Sequence, residues 1–129
     1  MFTIDQIKQA HSKVRSGADF PAYIRELKLL GVTRYESYVA DGHTDYYGSA
    51  DHMASSLPKY ETLAVADIAN AAQFKTDLKT HQQGGTDYPT FCSDSAKGGI
   101  EKWIVDLQQM TCTYYDKQGN EVLVEQIPQ

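Results

Sequence analysis

The sequence has no apolar run long enough to span a membrane or to form the core of a signal peptide. Its opening residues, MFTIDQIKQAHSKVR, interleave apolar side chains with charged and polar ones. It also contains only two cysteines, Cys92 and Cys112. We therefore expect a cytoplasmic protein without a membrane segment, and in that compartment both thiols should be free.

Motifs that mark a cofactor site or a catalytic centre are also missing. The chain has no phosphate loop, dinucleotide fingerprint, nucleophile elbow or Cys-x-x-Cys pair. Gly98 and Gly99 close a predicted helix instead of opening one, so they do not suggest a phosphate cradle. The formal net charge of −5 argues against DNA or RNA as a partner. We therefore predict neither a bound cofactor nor a nucleic-acid partner.

What the sequence does contain is the material of one folded domain, residues 1–129. The chain is 41% apolar and 22% charged, a globular composition that can bury a core at this length. Nine residues are tyrosines, which suit both strands and half-buried binding surfaces.

Hydrophobic periodicity predicts four helices and six short strands. The predicted helices occupy residues 3–17, 19–31, 67–85 and 87–99, and the predicted strands occupy residues 32–39, 44–48, 61–66, 100–106, 110–116 and 121–127. The third helix should turn Ile68, Ala71, Phe74 and Leu78 toward the core. Residues 49–60 are predicted to be a polar connection with one helical turn.

Turn and capping residues set the ends of the first two helices. Thr3 and Gln6 form a predicted capping box, and Gly17 should end the first helix. Asp19 is expected to cap the second helix, which Gly31 should end.

Two stretches of the chain align with each other without gaps at a constant offset of 68. Between residues 17–47 and 85–115, six of 31 positions are identical, where composition alone gives about two. The identities are Gly17/Gly85, Asp19/Asp87, Pro21/Pro89, Gly31/Gly99, Tyr46/Tyr114 and Tyr47/Tyr115. The order of predicted elements also agrees. We therefore predict an α+β fold made of an internally duplicated ααβββ unit, with repeat 1 at about 3–66 and repeat 2 at about 67–127. Its sheet should be mainly antiparallel and covered by helices on one face.

The stretch DGHTDYYGSADH raises the question of a metal site. His43 and Asp45 would share one face of a strand, and His52 would supply a third ligand if the loop folded back. In the second repeat, however, their counterparts are Thr111 and Thr113, whereas the two tyrosines are kept. We therefore predict a polar turn between strands and no structural metal.

Aromatic residues on the strands are the predicted ligand-binding set. Duplicated units often meet at a groove, and pockets favour such junctions. One tyrosine of each neighbouring pair should be buried beneath the helices, and the other should lie on the open face or in the groove, beside Tyr35 or Trp103. The predicted set is Tyr35, Tyr46, Tyr47, Trp103, Tyr114 and Tyr115.

The last third of the chain resembles a known family. The motifs HQQGGTDYPTFC, Trp-x-Val-Asp, MTCTYYD and Glu-x-Ile-Pro are similar to those of small enterobacterial and prophage-encoded proteins of unknown function. Some of these proteins are called phage-envelope-like. The resemblance covers the full chain and implies a bacterial protein with a prophage connection, but it supplies no activity and no catalytic residues.

Three classes of function follow from the sequence. The first, which we favour, is a non-catalytic binding or regulatory protein whose partner is an unidentified protein or small molecule. The second is a small enzyme using Cys92 or His43, since the start of the fourth helix would favour a thiolate. Against this, the counterpart of Cys92 in the first repeat is the core residue Ile24, which favours a buried packing role. The third is a virion or assembly protein, which the family label alone suggests.

Overall fold

The computed structural model describes residues 2–14 and 19–127, and within these ranges the chain forms four helices and six strands. The helices are α1 (Ile4–His11), α2 (Phe20–Leu30), α3 (Ala71–Gln82) and α4 (Tyr88–Lys97). The strands are β1 (Val32–Tyr38), β2 (Thr44–Gly48), β3 (Met53–Ser55), β4 (Lys102–Asp106), β5 (Thr111–Tyr115) and β6 (Glu121–Gln126). The fold is therefore α+β, as predicted.

All six strands belong to one antiparallel sheet with the order β3-β2-β1-β4-β5-β6. Strands β1 and β4 meet at its centre, where Glu36 lies opposite Ile104. In the first half of the chain Tyr35 pairs with Tyr46, and in the second half Trp103 pairs with Tyr114, which is the same pair 68 positions later. The two halves thus have the same element order and the same register between their first two strands, and their origin by duplication stays a prediction.

The core lies between the helices and one face of the sheet, which we call the covered face. Alternate strand residues point to this face and are buried. Phe74 of α3 packs against Tyr114 with ring centres 4.9 Å apart, and Phe91 of α4 packs against Trp103 at 5.8 Å. The opposite, open face carries mainly polar and charged side chains, together with the apolar residues Ile104, Met53 and Val124.

Most predicted helix ends are confirmed. Thr3 and Gln6 form the capping box, and Gly31 ends α2 in a left-handed conformation with φ of 101°. Asp19 occupies the N-cap position of α2 as predicted, but its side chain makes no capping hydrogen bond to that helix. The first helix ends at His11 with Ser12 as its C-cap, so its predicted continuation to Gly17 is wrong; Gly17 itself lies outside the described residues.

The third helix starts later than predicted. The side chain of Asn70 accepts a hydrogen bond from the backbone N–H of Gln73, which fixes the helix start at Ala71. Phe74 and Leu78 face the core as expected, but Ile68 precedes the helix and is 84% exposed. Its predicted core role is wrong because the capping residue placed it outside the helical period.

The predicted strand at residues 61–66 is also wrong. The edge position beside β2 belongs to β3, within the predicted polar connection. Residues 56–70 form an extended connecting segment instead. The backbone N–H of Lys59 donates to the carbonyl of Asp41 at 2.8 Å, and that of Leu63 donates to the carbonyl of Ala40 at 2.7 Å. These bonds lie away from any sheet edge.

The same connecting segment also bonds to the second half of the chain. Its Ala66 N–H donates to the carbonyl of Ala96 at 2.9 Å, and the N–H of Asn70 donates to Gly98 at 2.9 Å. The segment therefore bridges the two halves.

None of the helices in the described ranges has the length and apolar character needed to cross a membrane.

Candidate functional site

The six aromatic residues predicted to bind a ligand divide between the two faces of the sheet. Four lie on the covered face and are 6–8% exposed, namely Tyr35, Tyr46, Trp103 and Tyr114. Tyr47 and Tyr115 lie half-buried on the open face. The expected burial of one tyrosine in each pair is confirmed. The expectation that the other would lie beside Tyr35 or Trp103 is wrong, because alternation along each strand places them on opposite faces.

Glu36 is the centre of a charged network on the open face. Its carboxylate accepts hydrogen bonds from Arg34 Nε (3.3 Å), Lys102 Nζ (3.2 Å) and the Tyr38 hydroxyl (3.2 Å). Burial alone would raise the pKa of Glu36, but the bond and charge of Lys102, with the bonds from Arg34 and Tyr38, hold that pKa below its usual value. The network satisfies the buried carboxylate from within the chain.

The half-buried tyrosines of this face contact cationic side chains of the same chain. The Arg34 guanidinium lies 4.0 Å from the ring centre of Tyr47. The Lys102 ammonium lies 5.8 Å from the ring centre of Tyr115 and 5.7 Å from that of Tyr38. These rings stabilise the sheet face by cation–π contacts. The polar groups around Glu36 and the tyrosine rings of the open face therefore find their partners within the chain.

His43 is held at the edge of this surface. Its Nδ1 lies 2.6 Å from Asp41 Oδ1, its Nε2 lies 3.7 Å from Asp45 Oδ1, and its ring stacks on Tyr38 with centres 4.5 Å apart. His52 does not fold back toward this pair, because its Nε2 lies 2.8 Å from the carbonyl oxygen of Phe2. In the part of the chain that the structure describes, no three His, Cys, Asp or Glu side chains form a metal-binding group.

A groove on the helical side, which we call the Lys59–Tyr88 groove, is a stronger candidate. It is open to solvent, has a volume of about 360 Å³, and its lining is mostly apolar. Its walls are Lys59, Tyr60, Glu61 and Leu63 of the connecting segment, with Tyr88 and Pro89 of α4. The first four residues belong to predicted repeat 1 and the other two to repeat 2. The groove therefore lies at the junction of the two halves.

The wall from the connecting segment is fixed by the hairpin turn between β1 and β2. The Tyr60 hydroxyl donates to the carbonyl of Val39 at 2.6 Å, and the backbone N–H of Lys59 donates to Asp41. Gly42 packs beneath the Tyr60 ring, where a Cβ would lie 2.6 Å from a ring carbon. The turn that the sequence predicts at Asp41-Gly42 thus positions a groove residue.

The wall from α4 is fixed at the start of that helix. Asp87 caps the helix by accepting a hydrogen bond from the N–H of Thr90 at 2.9 Å, and Pro89 suits the first turn. Tyr88 is the first helical residue. Tyr88 is 40% exposed, and burial of its hydroxyl near the Cys92 thiol raises its pKa.

Cys92 lies beneath the groove and is 1% exposed. Burial raises the pKa of its thiol, and the hydroxyls of Tyr60 and Tyr88 with the charge of Lys59 offset this only in part. Burial likewise raises the pKa of Cys112 to about 12. Both thiols are therefore protonated near neutral pH, which argues against Cys92 as a nucleophile.

Three buried tyrosines form a polar layer below Tyr88 and Cys92. Burial raises the pKa values of Tyr23, Tyr35 and Tyr46, and the neighbouring Tyr46 raises the pKa of Tyr23 further. The Tyr88 hydroxyl is electrostatically coupled to Tyr46 as well as to Cys92. Two of the predicted ligand-binding residues, Tyr35 and Tyr46, thus lie under the groove without lining it.

We expect both thiols to react slowly with a maleimide in the native protein and rapidly after denaturation. Cys92 and Cys112 are free and buried, on α4 and β5 respectively, and only unfolding exposes them. Mass spectrometry of the labelled protein would count the modified thiols. A disulfide-linked peptide joining Cys92 to Cys112 in unreduced protein would contradict this expectation.

The protein is a small α+β protein whose Lys59–Tyr88 groove lies at the junction of two similar halves and has a mostly apolar lining with a few polar groups. Residues 8–126 match the model of a family described as "Protein of unknown function (DUF1398)", and the chain belongs to that family. It is similar to a protein of Escherichia coli strain K12, "Uncharacterized protein YcgX", with 22% identity over 127 residues. That alignment covers 96% of this chain and 95% of the relative.

Proposed function

We propose that the protein is a non-catalytic binding protein that takes a small molecule in the Lys59–Tyr88 groove. The groove carries the features of a ligand pocket, which is typically about 300–1,000 Å³, mostly apolar, and supplied with a few convergent polar groups. Its volume of about 360 Å³ falls in that range. The charged groups of the lining are the Lys59 ammonium and the Glu61 carboxylate.

The position of the groove supports a regulatory role for binding. One wall belongs to each half of the chain, so a ligand would contact both halves at once. The connecting segment that forms one wall also bonds to both halves through its backbone. A bound ligand would therefore raise the free energy of unfolding, and this gain would increase with the concentration and affinity of the ligand. In this proposal the protein is cytoplasmic and of prophage origin, as the family resemblance implies.

The test is a screen of a small-fragment library by protein-observed NMR. We expect the bound fragments to shift the backbone amide signals of Lys59, Tyr60 and Tyr88. Tyr88→Ser and Leu63→Ser should each weaken binding, because both remove apolar wall from the groove. The control is Tyr115→Ser, which removes a half-buried tyrosine from the open face, away from the groove.

Unfolding curves of each variant would separate lost binding from lost structure. Fragment shifts that cluster on the open face, and that vanish in the control variant alone, would contradict the proposal. A screen in which no fragment perturbs groove residues would contradict it as well.

A further inference from the structure

We propose that the ligand of the Lys59–Tyr88 groove is a flat organic anion with a single negative charge, such as an aromatic carboxylate. This inference rests on the proposed function and names the chemical class that the groove would select. The Lys59 ammonium binds the carboxylate, and the ring of Tyr88 packs against the flat part of the molecule.

Lys59 is the anchor because its charge is not neutralised within the chain. Among residues 2–14 and 19–127 the described ion pairs involve other cations, and Lys59 has no carboxylate within ion-pair distance. Its ammonium lies 5.7 Å from the ring centre of Tyr88. Lys59 stays exposed to solvent, and partial burial of its ammonium lowers its pKa, an effect that a bound anion would oppose.

The charge count of the groove favours one negative charge over several. Lys59 and Glu61 are the charged lining residues, so one cation is accompanied by one acid. The start of α4 adds no free anion site, because Asp87 already accepts from the N–H of Thr90 there. A phosphorylated or multiply charged ligand would face the Glu61 carboxylate with only one ammonium to bind its charges.

The shape and surface of the walls favour a flat ligand. The rings of Tyr60 and Tyr88 face the groove together with the apolar side chains of Leu63 and Pro89. Gly42 holds the Tyr60 ring from behind, so this wall does not collapse into the turn. Aromatic side chains gain most from offset stacking or edge contacts with another ring. A cationic ligand would be repelled by Lys59, which already lies over Tyr88.

The test compares two acids with their neutral amides. Benzoate, benzamide, indole-3-acetate and indole-3-acetamide would be titrated separately into the full-length protein, with affinity measured from NMR shifts of groove residues. We expect the acids to bind more tightly than the amides. Lys59→Met should weaken acid binding at least about tenfold, since a charge-assisted bond contributes about 1.5–3 kcal/mol. Lys59→Arg should restore binding.

The matched control is Lys97→Met, which removes an exposed lysine from the other end of α4 and should leave acid binding unchanged. Equal binding of acids and amides at groove residues would overturn the ligand class while keeping the groove as a binding site. Unchanged acid affinity in Lys59→Met would overturn it too. If neither acids nor amides perturb groove residues, both the ligand class and the proposed function fail for these probes.

Discussion

Replacing Tyr114 by alanine should lower the free energy of unfolding by about 3–5 kcal/mol, the range found for large buried aromatic residues. Tyr114 is 6% exposed and packs against Phe74 and Trp103, with ring centres 4.9 and 5.9 Å away. Its hydroxyl also donates to Glu125 Oε1 at 3.3 Å. The substitution leaves a cavity in the middle of the second half. Urea unfolding monitored by circular dichroism would measure the loss.

Tyr115→Ala is the natural control, because it removes the next residue of the same strand from the opposite face. That side chain is half-buried and gains a cation–π contact with Lys102, worth about 0.5–1 kcal/mol. We expect it to cost much less stability than Tyr114→Ala. Equal losses for the two variants would contradict the assignment of covered and open faces.

Gly99→Ala should destabilise the protein by about 2–5 kcal/mol. Gly99 has φ of 83°, where a left-handed conformation costs an alanine about 1–2 kcal/mol. An added Cβ would also lie 2.6 Å from Ala69 Cα and 2.7 Å from the Ile68 carbonyl oxygen. Those atoms belong to backbone, so they must shift, at an overpacking cost of about 1–3 kcal/mol. Thermal and denaturant unfolding would give the value.

Gly31→Ala is the matched substitution at the aligned position of the first half. Gly31 has φ of 101°, but an added Cβ would meet nothing within 4 Å. Only the backbone term of about 1–2 kcal/mol should therefore apply. A larger loss of stability for Gly31→Ala than for Gly99→Ala would contradict the close packing of Ile68 and Ala69 against Gly99 as the cause of the loss.

The parts of the fold that the sequence predicts well are those with local chemical signals. Pro89 and Asp87 mark the start of α4, Gly31 marks the end of α2, and the alternation in TDYYG marks β2. Each signal acts within a few residues, through a capping bond, a left-handed φ or a side-chain period. Tertiary contacts then reinforce these local preferences.

The connecting segment could not be predicted in this way. Residues 61–66 have the composition of a strand, but their N–H groups bond to Ala40 and Ala96 in place of a sheet edge. Ile68 fits a helical period, yet Asn70 caps the helix two residues later. These choices depend on parts of the chain that lie far away in sequence.

The groove was missed for the same reason. Lys59 and Tyr60 belong to a stretch with no periodicity, and Tyr88 looks like an ordinary first-turn residue. The signal that was present is length, because connections longer than about 12–15 residues are often functional. The predicted binding set instead followed the tyrosines of the strands, of which Tyr35 and Tyr46 lie below the groove.

The bonds of the connecting segment to both halves have a consequence for how the molecule comes apart. Lys59 and Leu63 bond to the β1–β2 turn, while Ala66 and Asn70 bond to the end of α4. Neither half can lose these contacts without releasing the other from the segment. Together with the β1–β4 ladder, they couple the halves into one cooperative transition, so amide hydrogens of both should exchange with solvent through the same global opening.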